Sequence, residues 1–328
     1  MLSKIRVTPL AAESFGARSM CTLVETPDIG ILLDAGVSLV PNRFGLPPHP
    51  AEFRAIAKLR KRIAIAADKA EVVTISHYHF DHHTPSYEDW VVNWTEATET
   101  ARQIYQDKLV LVKNPRNKIN PSQRHRGWLF EKTGGKHARE LRNADGNAIE
   151  FGKDTILRFS EPVTHGPDDA SLGWVVMAEV EYDCEHFMFA PDVQGPMSSR
   201  TLGLIQAANP QVLMIGGPPF YLSNFKVSAA QLQGAIDNLL RIVEFVPLTI
   251  MEHHVLRDAL WKEQTKLVFD AAASFGHRVV TAAQFAGEED CFLESTRREL
   301  YVRDPPSKEF ERWAKVGWKE KGGDKPPV

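Results

Sequence analysis

Four of the chain's twelve histidines fall between positions 77 and 83, in the run Ser76-His77-Tyr78-His79-Phe80-Asp81-His82-His83. The run follows directly on the apolar Val72-Val73-Thr74-Ile75. Side chains of an extended segment alternate, so His77 and His79, separated only by Tyr78, aim their imidazoles the same way. Asp81 and His82 follow at a turn, where they can face a second metal ion. Imidazole and carboxylate are the ligands that catalytic zinc sites use. A single histidine here would read as a polar loop residue, but His-X-His-X-Asp-His at a strand end reads as a metal site. His83 stays open between a proton donor and a supporting or solvent-facing histidine.

Short elements must position this run. Residues 5–10, 20–25, 29–34, 72–75 and 109–112 are apolar and bounded by turn residues, which predicts strands. Residues 51–69 carry Phe53, Ile56, Leu59, Ile63 and Ala67 three or four apart, which predicts a helix. Further helices are predicted over 87–107, from the Asn120 cap to about 137, and over 198–208, 227–244 and 256–275. The β pattern returns at 155–161, 173–182, 186–190, 212–215 and 248–251. Strands then helices, twice over, predict an α/β fold of two packed sheets with helices outside. Residues 1–304 read as a single domain, without internal repeat or clear linker. From Asp304 the chain is rich in Pro, Lys and Gly and reads as a C-terminal extension, 305–328, mobile beyond about Trp318.

Composition excludes several classes. Of 328 residues, 43% are apolar and 25% charged, which is ordinary for a globular chain and excludes a disordered or fibrous one. The formal net charge is −3, so any nucleic-acid binding must come from a local patch. Cys21, Cys184 and Cys291 are too few and too scattered for a disulfide framework, and a reducing cytoplasm is the expected location. No apolar run has the length of a membrane helix, and Met1 to Val7 lacks the apolar core of a signal peptide.

His77-Tyr78-His79-Phe80-Asp81-His82 resembles the signature of the metallo-β-lactamase superfamily. The rest of that pattern has counterparts in order: Ile31-Leu32-Leu33-Asp34-Ala35-Gly36, Pro162-Val163-Thr164-His165, Phe189-Ala190-Pro191-Asp192 and Ile250-Met251-Glu252-His253-His254. Ser14-Phe15-Gly16-Ala17-Arg18-Ser19 and His253-His254-Val255-Leu256-Arg257-Asp258 further resemble a widespread, largely archaeal branch of it. The resemblance implies an αββα four-layer sandwich with a dinuclear site at the sheet edges. It implies that His77, His79 and His165 hold one ion. Asp81, His82 and either His253 or His254 hold the other, Asp192 bridges, and Asp34 orients a ligand from behind. Zinc is the expected metal, with manganese or iron open to the same donors.

Two such ions can share a hydroxide, and a coordinated water ionises near pH 7, so the expected reaction is hydrolysis. Asp81, His83 and the non-ligand member of the 253/254 pair are candidate acids. The carboxylate bridge shifts weight toward phosphodiesters, lactones and thioesters. Residues 113–142 read as a basic insertion, with nine lysines and arginines against two glutamates. Lys113, Arg116, Arg124 and Arg126 interleave there with Asn and Gln, ahead of Trp128 and Phe130, a mix that can grip phosphates and stack bases. The plain alternative is a solvated helix face. Arg257 is a better phosphate contact, because it follows the last histidines closely. A small-molecule or nucleic-acid phosphodiester is therefore the first expected substrate. A small lactone, ester or thioester is the alternative, and a metal-stabilised binding protein without turnover the third reading. No membrane partner is expected, and a homo-oligomer is left open.

Overall fold

The computed structural model describes residues 2–87, 97–169, 172–223, 225–316 and 324–328. Its first half builds one sheet in simple spatial order from β1 (Arg6–Pro9), β2 (Thr22–Glu25), β3 (Gly30–Leu33), β4 (Val72–Ile75), β5 (Leu109–Val112) and β6 (Glu140–Asn143). The first three strands are antiparallel and β3 to β6 are parallel. Each parallel step requires a crossover, supplied by α1 (Pro50–Ala67), α2 (Ala97–Tyr105) and α3 (Pro121–Lys132). The basic segment 113–142 is the last of these crossovers, running from the end of β5 through α3 into β6. Most of the helix predicted over 87–107 that precedes α2 lies outside the described residues.

The second half adds β7 (Ala148–Phe151), β8 (Thr155–Phe159), a short ribbon of β9 (Val163–Thr164) and β10 (Trp174–Val175), then β11 (Ala178–Tyr182) and β12 (Glu185–Ala190). It continues with α4 (Ser199–Ala208), β13 (Val212–Gly216), α5 (Ala229–Phe245), β14 (Leu248–Glu252), α6 (Trp261–Gln264), α7 (Lys266–Ser274) and β15 (Arg278–Val280). The second sheet runs β15-β14-β13-β12-β11-β8-β7. Two-residue periodicity gives each strand two apolar faces. Phe187, Phe189, Val212 and Met214 enter a core shared with Leu23, Ile31, Val72 and Val110 of the first sheet. Their neighbours Met188, Ala190, Leu213 and Ile215 pack instead with Leu202 and Ile205 of α4 and Ile242 of α5. The layers are helix, sheet, sheet, helix, the αββα sandwich that the resemblance implies.

Three predicted elements are divided. The helix from Asn120 to about 137 stops at Lys132, and a 3₁₀ turn, Gly134–His137, follows across the non-helical Thr133. The strand over 173–182 breaks between β10 and β11, because the chain leaves the ribbon to join the sheet. The helix over 256–275 is a 3₁₀ turn, His253–Arg257, followed by α6 and α7. Extended Asp258 and the non-helical Thr265 interrupt it. Three elements complete the chain: α8 (Ala282–Phe285), α9 (Arg297–Arg303) and α10 (Lys308–Lys315). Helix α10 is held against α1, its buried Phe310 and its Trp313 packing edge-on against Phe53. Trp318 lies outside the described residues.

Arg297, with no exposed surface, makes a forked pair with Glu52 (2.8 and 2.7 Å) and donates to the carbonyls of Leu46 and Val40. Glu52 also accepts from the His49 amide, closing the N-terminus of α1. Arg297→Ala leaves that carboxylate buried without its partner. It is expected to cost about 3–5 kcal/mol in urea unfolding. A loss below about 1 kcal/mol, the scale of an exposed pair, would contradict this reading.

Candidate metal centre

Five strand ends converge on one edge of the sandwich. Asp34 follows β3, residues 76–83 follow β4, His165 follows β9, Asp192 follows β12 and His253 follows β14. Three of these residues turn sharply where the strand stops: Asp34, Asp192 and His253 have φ of 48°, 51° and 67°. The left-handed region is costly for side chains other than glycine, and such strain concentrates at functional sites. The 76–83 loop is seated through Gly36. A Cβ there would stand 2.2 Å from the His83 nitrogen and 2.6 Å from that of His82. Gly36→Ala is expected to push the loop away and abolish metal uptake. Wild-type zinc stoichiometry in folded G36A would contradict that.

His77, His79, His165 and Asp192 each place a ligand atom within 4.8 Å of the others, as do Asp81, His82 and His253, and Asp192, His253 and His254. Asp192 stands between the two halves. Its Oδ2 is 3.1 Å from His77 Nε2 and 2.7 Å from His165 Nε2, and its Oδ1 is 2.8 Å from His253 Nε2. His77, His82, His165, Asp192 and His253 are buried, while the His79 side chain keeps 28% of its surface exposed.

The opposite ring nitrogens are taken. Asp34 Oδ2 lies 2.7 Å from His82 Nδ1, and Glu13 Oε2 lies 2.8 Å from His253 Nδ1. A carboxylate accepts, so each Nδ1 carries the hydrogen and each Nε2 presents a lone pair. Those two Nε2 atoms face each other at 3.2 Å. Ser76 donates its hydroxyl to Asp34 and so accepts from His77 Nδ1 at 3.0 Å, leaving His77 Nε2 facing His79 Nδ1 at 2.9 Å. Lone pairs this close need positive charge between or on them. Gln194 Nε2 lies 3.3 Å from His165 Nδ1, while its Oε1 is buried without a partner. Turning the amide oxygen toward Nδ1 satisfies it and frees His165 Nε2, itself without a hydrogen bond.

The electrostatics agree. Burial disfavours charge on His82 and His253, yet Asp192, joined by Asp34 and Asp81 at His82 and by Glu13 at His253, reverses the sign. His253 is pushed up to about 9 and His82 well above its ordinary value. Burial likewise opposes ionisation of Asp192, but His253, His82, His165 and His254 hold it well below the usual carboxylate range. A field that draws positive charge, lined by imidazole and carboxylate, fits a metal ion.

The centre opens into a cavity of about 400 Å³. His79, Asp81, His165, Asp192 and His254 line it, with Arg18, Arg43, Arg126, Lys226 and Arg257 as its cations. Of the basic residues expected at the substrate, only Arg126 and Arg257 reach it. Lys113 does not: its buried Nζ is held by Asp145 at 2.8 Å and the Asn117 carbonyl at 2.7 Å. Arg116 pairs with Glu131 on the outer surface, and Arg124 is exposed away from the cavity lining. Arg257 has its donors spent on Glu13, Asp81 and Tyr221, so it frames the site rather than reaching out. His83 is also corrected. It is buried against Tyr78 and Phe130, bonded to the His79 carbonyl, and burial pushes it down to about 3. It does not line the cavity.

Glu13, Gln194, Tyr221 and Lys226 went unnoticed in the sequence. Glu13 had a faint signal, a lone acid after the apolar Leu10-Ala11-Ala12. The others lie on loops after strands and carry no spacing that marks them. Among the described residues, no helix is long and apolar enough to cross a membrane.

No protein-family model matches the chain. It is 40% identical over 296 residues to a UPF0282 protein of Methanopyrus kandleri, covering 90% of this chain and 99% of the relative. It is 42% identical over 299 residues to a UPF0282 protein of Pyrobaculum islandicum, covering 91% and 95%. Two solved structures are similar at 12% identity. One is a mutant of CmlA β-hydroxylase, with 86% of this chain and 52% of that chain covered at a TM-score of 0.49. The other is a metal-dependent hydrolase of the β-lactamase superfamily, with 84% and 95% covered at 0.46. Matched to its archaeal relatives over some 90% of its length, the chain belongs to the UPF0282 family.

Proposed function

We propose that this chain is a metal-dependent hydrolase with a dinuclear zinc centre, acting on an anionic substrate of the phosphodiester class. The observation that carries this reading is the pairing of the His/Asp cluster with unneutralised cations above it. Arg126 lies over Phe80 (4.7 Å), Lys226 sits beside Phe225 (5.6 Å), and among the described residues neither has a carboxylate within ion-pairing distance. Cations left unpaired at a cavity mouth suit a ligand that brings negative charge.

His77, His79 and His165 would hold one ion, Asp81, His82 and His253 the other, with Asp192 shared. The ions, when bound, would supply Lewis acidity toward substrate and water. The chain itself does the rest. Asp34, Ser76, Gln194 and Glu13 fix the ring orientations. Arg126 and Lys226 hold the substrate's charge over the floor of the cavity. Arg257 locks Asp81 to Glu13 and keeps both carboxylates in place.

The test compares bis(p-nitrophenyl) phosphate with p-nitrophenyl acetate and a small thioester. The zinc-loaded protein should cleave the phosphodiester, and His79→Ala should abolish this. Arg126→Ala should raise KM for the phosphodiester roughly ten-fold or more while leaving the neutral ester unaffected. Preference for the neutral esters, indifferent to Arg126, would replace the phosphodiester reading with the ester, lactone or thioester one.

A further inference from the structure

We propose that His254 is not a metal ligand but a hydrogen-bond donor to the substrate, with its proton fixed on Nε2 by Arg257 and Tyr221. This rests on the metallo-hydrolase reading above and divides the adjacent histidines between two tasks.

The division follows from what each ring's Nδ1 meets. Behind His253 stands Glu13, which accepts, so His253 carries its proton on Nδ1 and turns a lone pair toward Asp81, His82 and Asp192. Behind His254 stand donors. The Tyr221 hydroxyl lies 2.9 Å from His254 Nδ1, and Arg257 Nη1 lies 3.2 Å from it. A guanidinium only donates. Arg257 Nη1 also lies 3.3 Å from the Tyr221 oxygen, so the hydroxyl accepts from arginine and donates onward to His254. Nδ1 of His254 is thereby an acceptor, and the ring proton belongs on Nε2.

A nitrogen bearing a proton cannot ligate. Arg257 Nη2 is also close to His253, at 3.2 Å from Nδ1 and 3.1 Å from Nε2. Equally near both nitrogens, it lies against the ring face and decides neither. His254 Nε2 is 3.5 Å from Asp192 Oδ1, whose near neighbour is His253 Nε2 at 2.8 Å. The Nε2 of His254 is buried, has no hydrogen-bond partner, and its ring lines the cavity. A buried donor without an acceptor is costly, and an oxygen of an anionic substrate would relieve that cost. The ring is held for this by the Tyr221 hydroxyl, whose own ring lies nearly parallel to it at 10°, with centroids 6.1 Å apart.

The direct test is ring ¹⁵N NMR on the zinc-loaded wild-type protein, recording two-bond ¹H–¹⁵N correlations. His254 should show a protonated Nε2 and a bare Nδ1, and His253 the reverse. A metal-bound Nε2 on His254 would overturn the assignment. Zinc counting gives the second arm. His253→Ala should lose about one ion and His254→Ala none. Binding of inorganic phosphate to zinc-loaded His254→Ala should weaken roughly ten-fold. Loss of an ion from H254A, or unchanged phosphate affinity, would overturn the inference while leaving the metallo-hydrolase reading intact. A wild-type chain that takes up no zinc would overturn both.

Discussion

Asp192→Ala is expected to leave the chain unable to retain both ions and to lower kcat/KM by roughly 10²–10³-fold. Asp192 meets ligand atoms of both halves of the centre, through Oδ2 at His77 and His165 and Oδ1 at His253. Its removal deletes the negative charge that lets so many imidazoles share one buried space. Asp192→Asn separates charge from shape. It keeps the volume, but its amide group offers either a neutral oxygen or a donor to nitrogens that need an acceptor or an ion. Both variants should lose metal in elemental analysis, with Asn the milder. Full metal content in Asp192→Ala would mean that the two halves do not depend on a shared carboxylate.

The second large effect is expected at Glu13, more than 200 positions from its partners in sequence. One oxygen faces His253 Nδ1 at 2.8 Å, and the other accepts from Arg257 Nε at 2.7 Å. Glu13→Ala leaves the buried Arg257 guanidinium with Asp81, 3.3 Å away, as its remaining ion-pair partner. Breaking a buried pair on one side typically costs about 3–5 kcal/mol. The same change frees the His253 ring to turn. Metal affinity on the Asp81–His82–His253 side should fall roughly 10–100-fold, while the His77–His79–His165 side holds. Glu13→Gln keeps one acceptor and should fall between. Zinc titration alongside urea unfolding separates the two effects. Wild-type values for both in E13A would show that Glu13 neither orients the ligand nor offsets the arginine.

The two effects differ in how visible their causes are in the sequence. Asp192 is legible because it ends a buried apolar strand and falls in order with the other strand-end residues. Local pattern also predicts the central strands well. Val72–Ile75 and Leu109–Val112 are buried on both faces and read as unbroken apolar runs. Glu140–Asn143 was not predicted as a strand, because it is a mostly exposed edge with charged residues and no alternation. Arg278–Val280 is too short to carry a period.

The side chains behind the histidine cluster were the hardest to see. Glu13, Gln194 and Tyr221 act through contacts that only the folded chain makes. The left-handed φ of Asp34, Asp192 and His253 likewise comes from tertiary constraint, not composition. The basic segment misled for the converse reason. Its nine cations are conspicuous in sequence, but a helix that crosses from β5 to β6 shows most of its surface to solvent, Lys113 is buried on Asp145, and only Arg126 reaches the cavity. Charge density along a chain does not say which way a side chain points. The 253/254 ambiguity is unresolvable from spacing, and the division of tasks proposed above rests on which neighbours donate and which accept.

The most direct measurement is the metal content of the wild-type chain, by elemental analysis after purification without added metal and again after saturation with zinc and removal of excess. About two ions per chain are predicted after saturation. One ion or none at saturation would contradict a dinuclear centre bridged by Asp192.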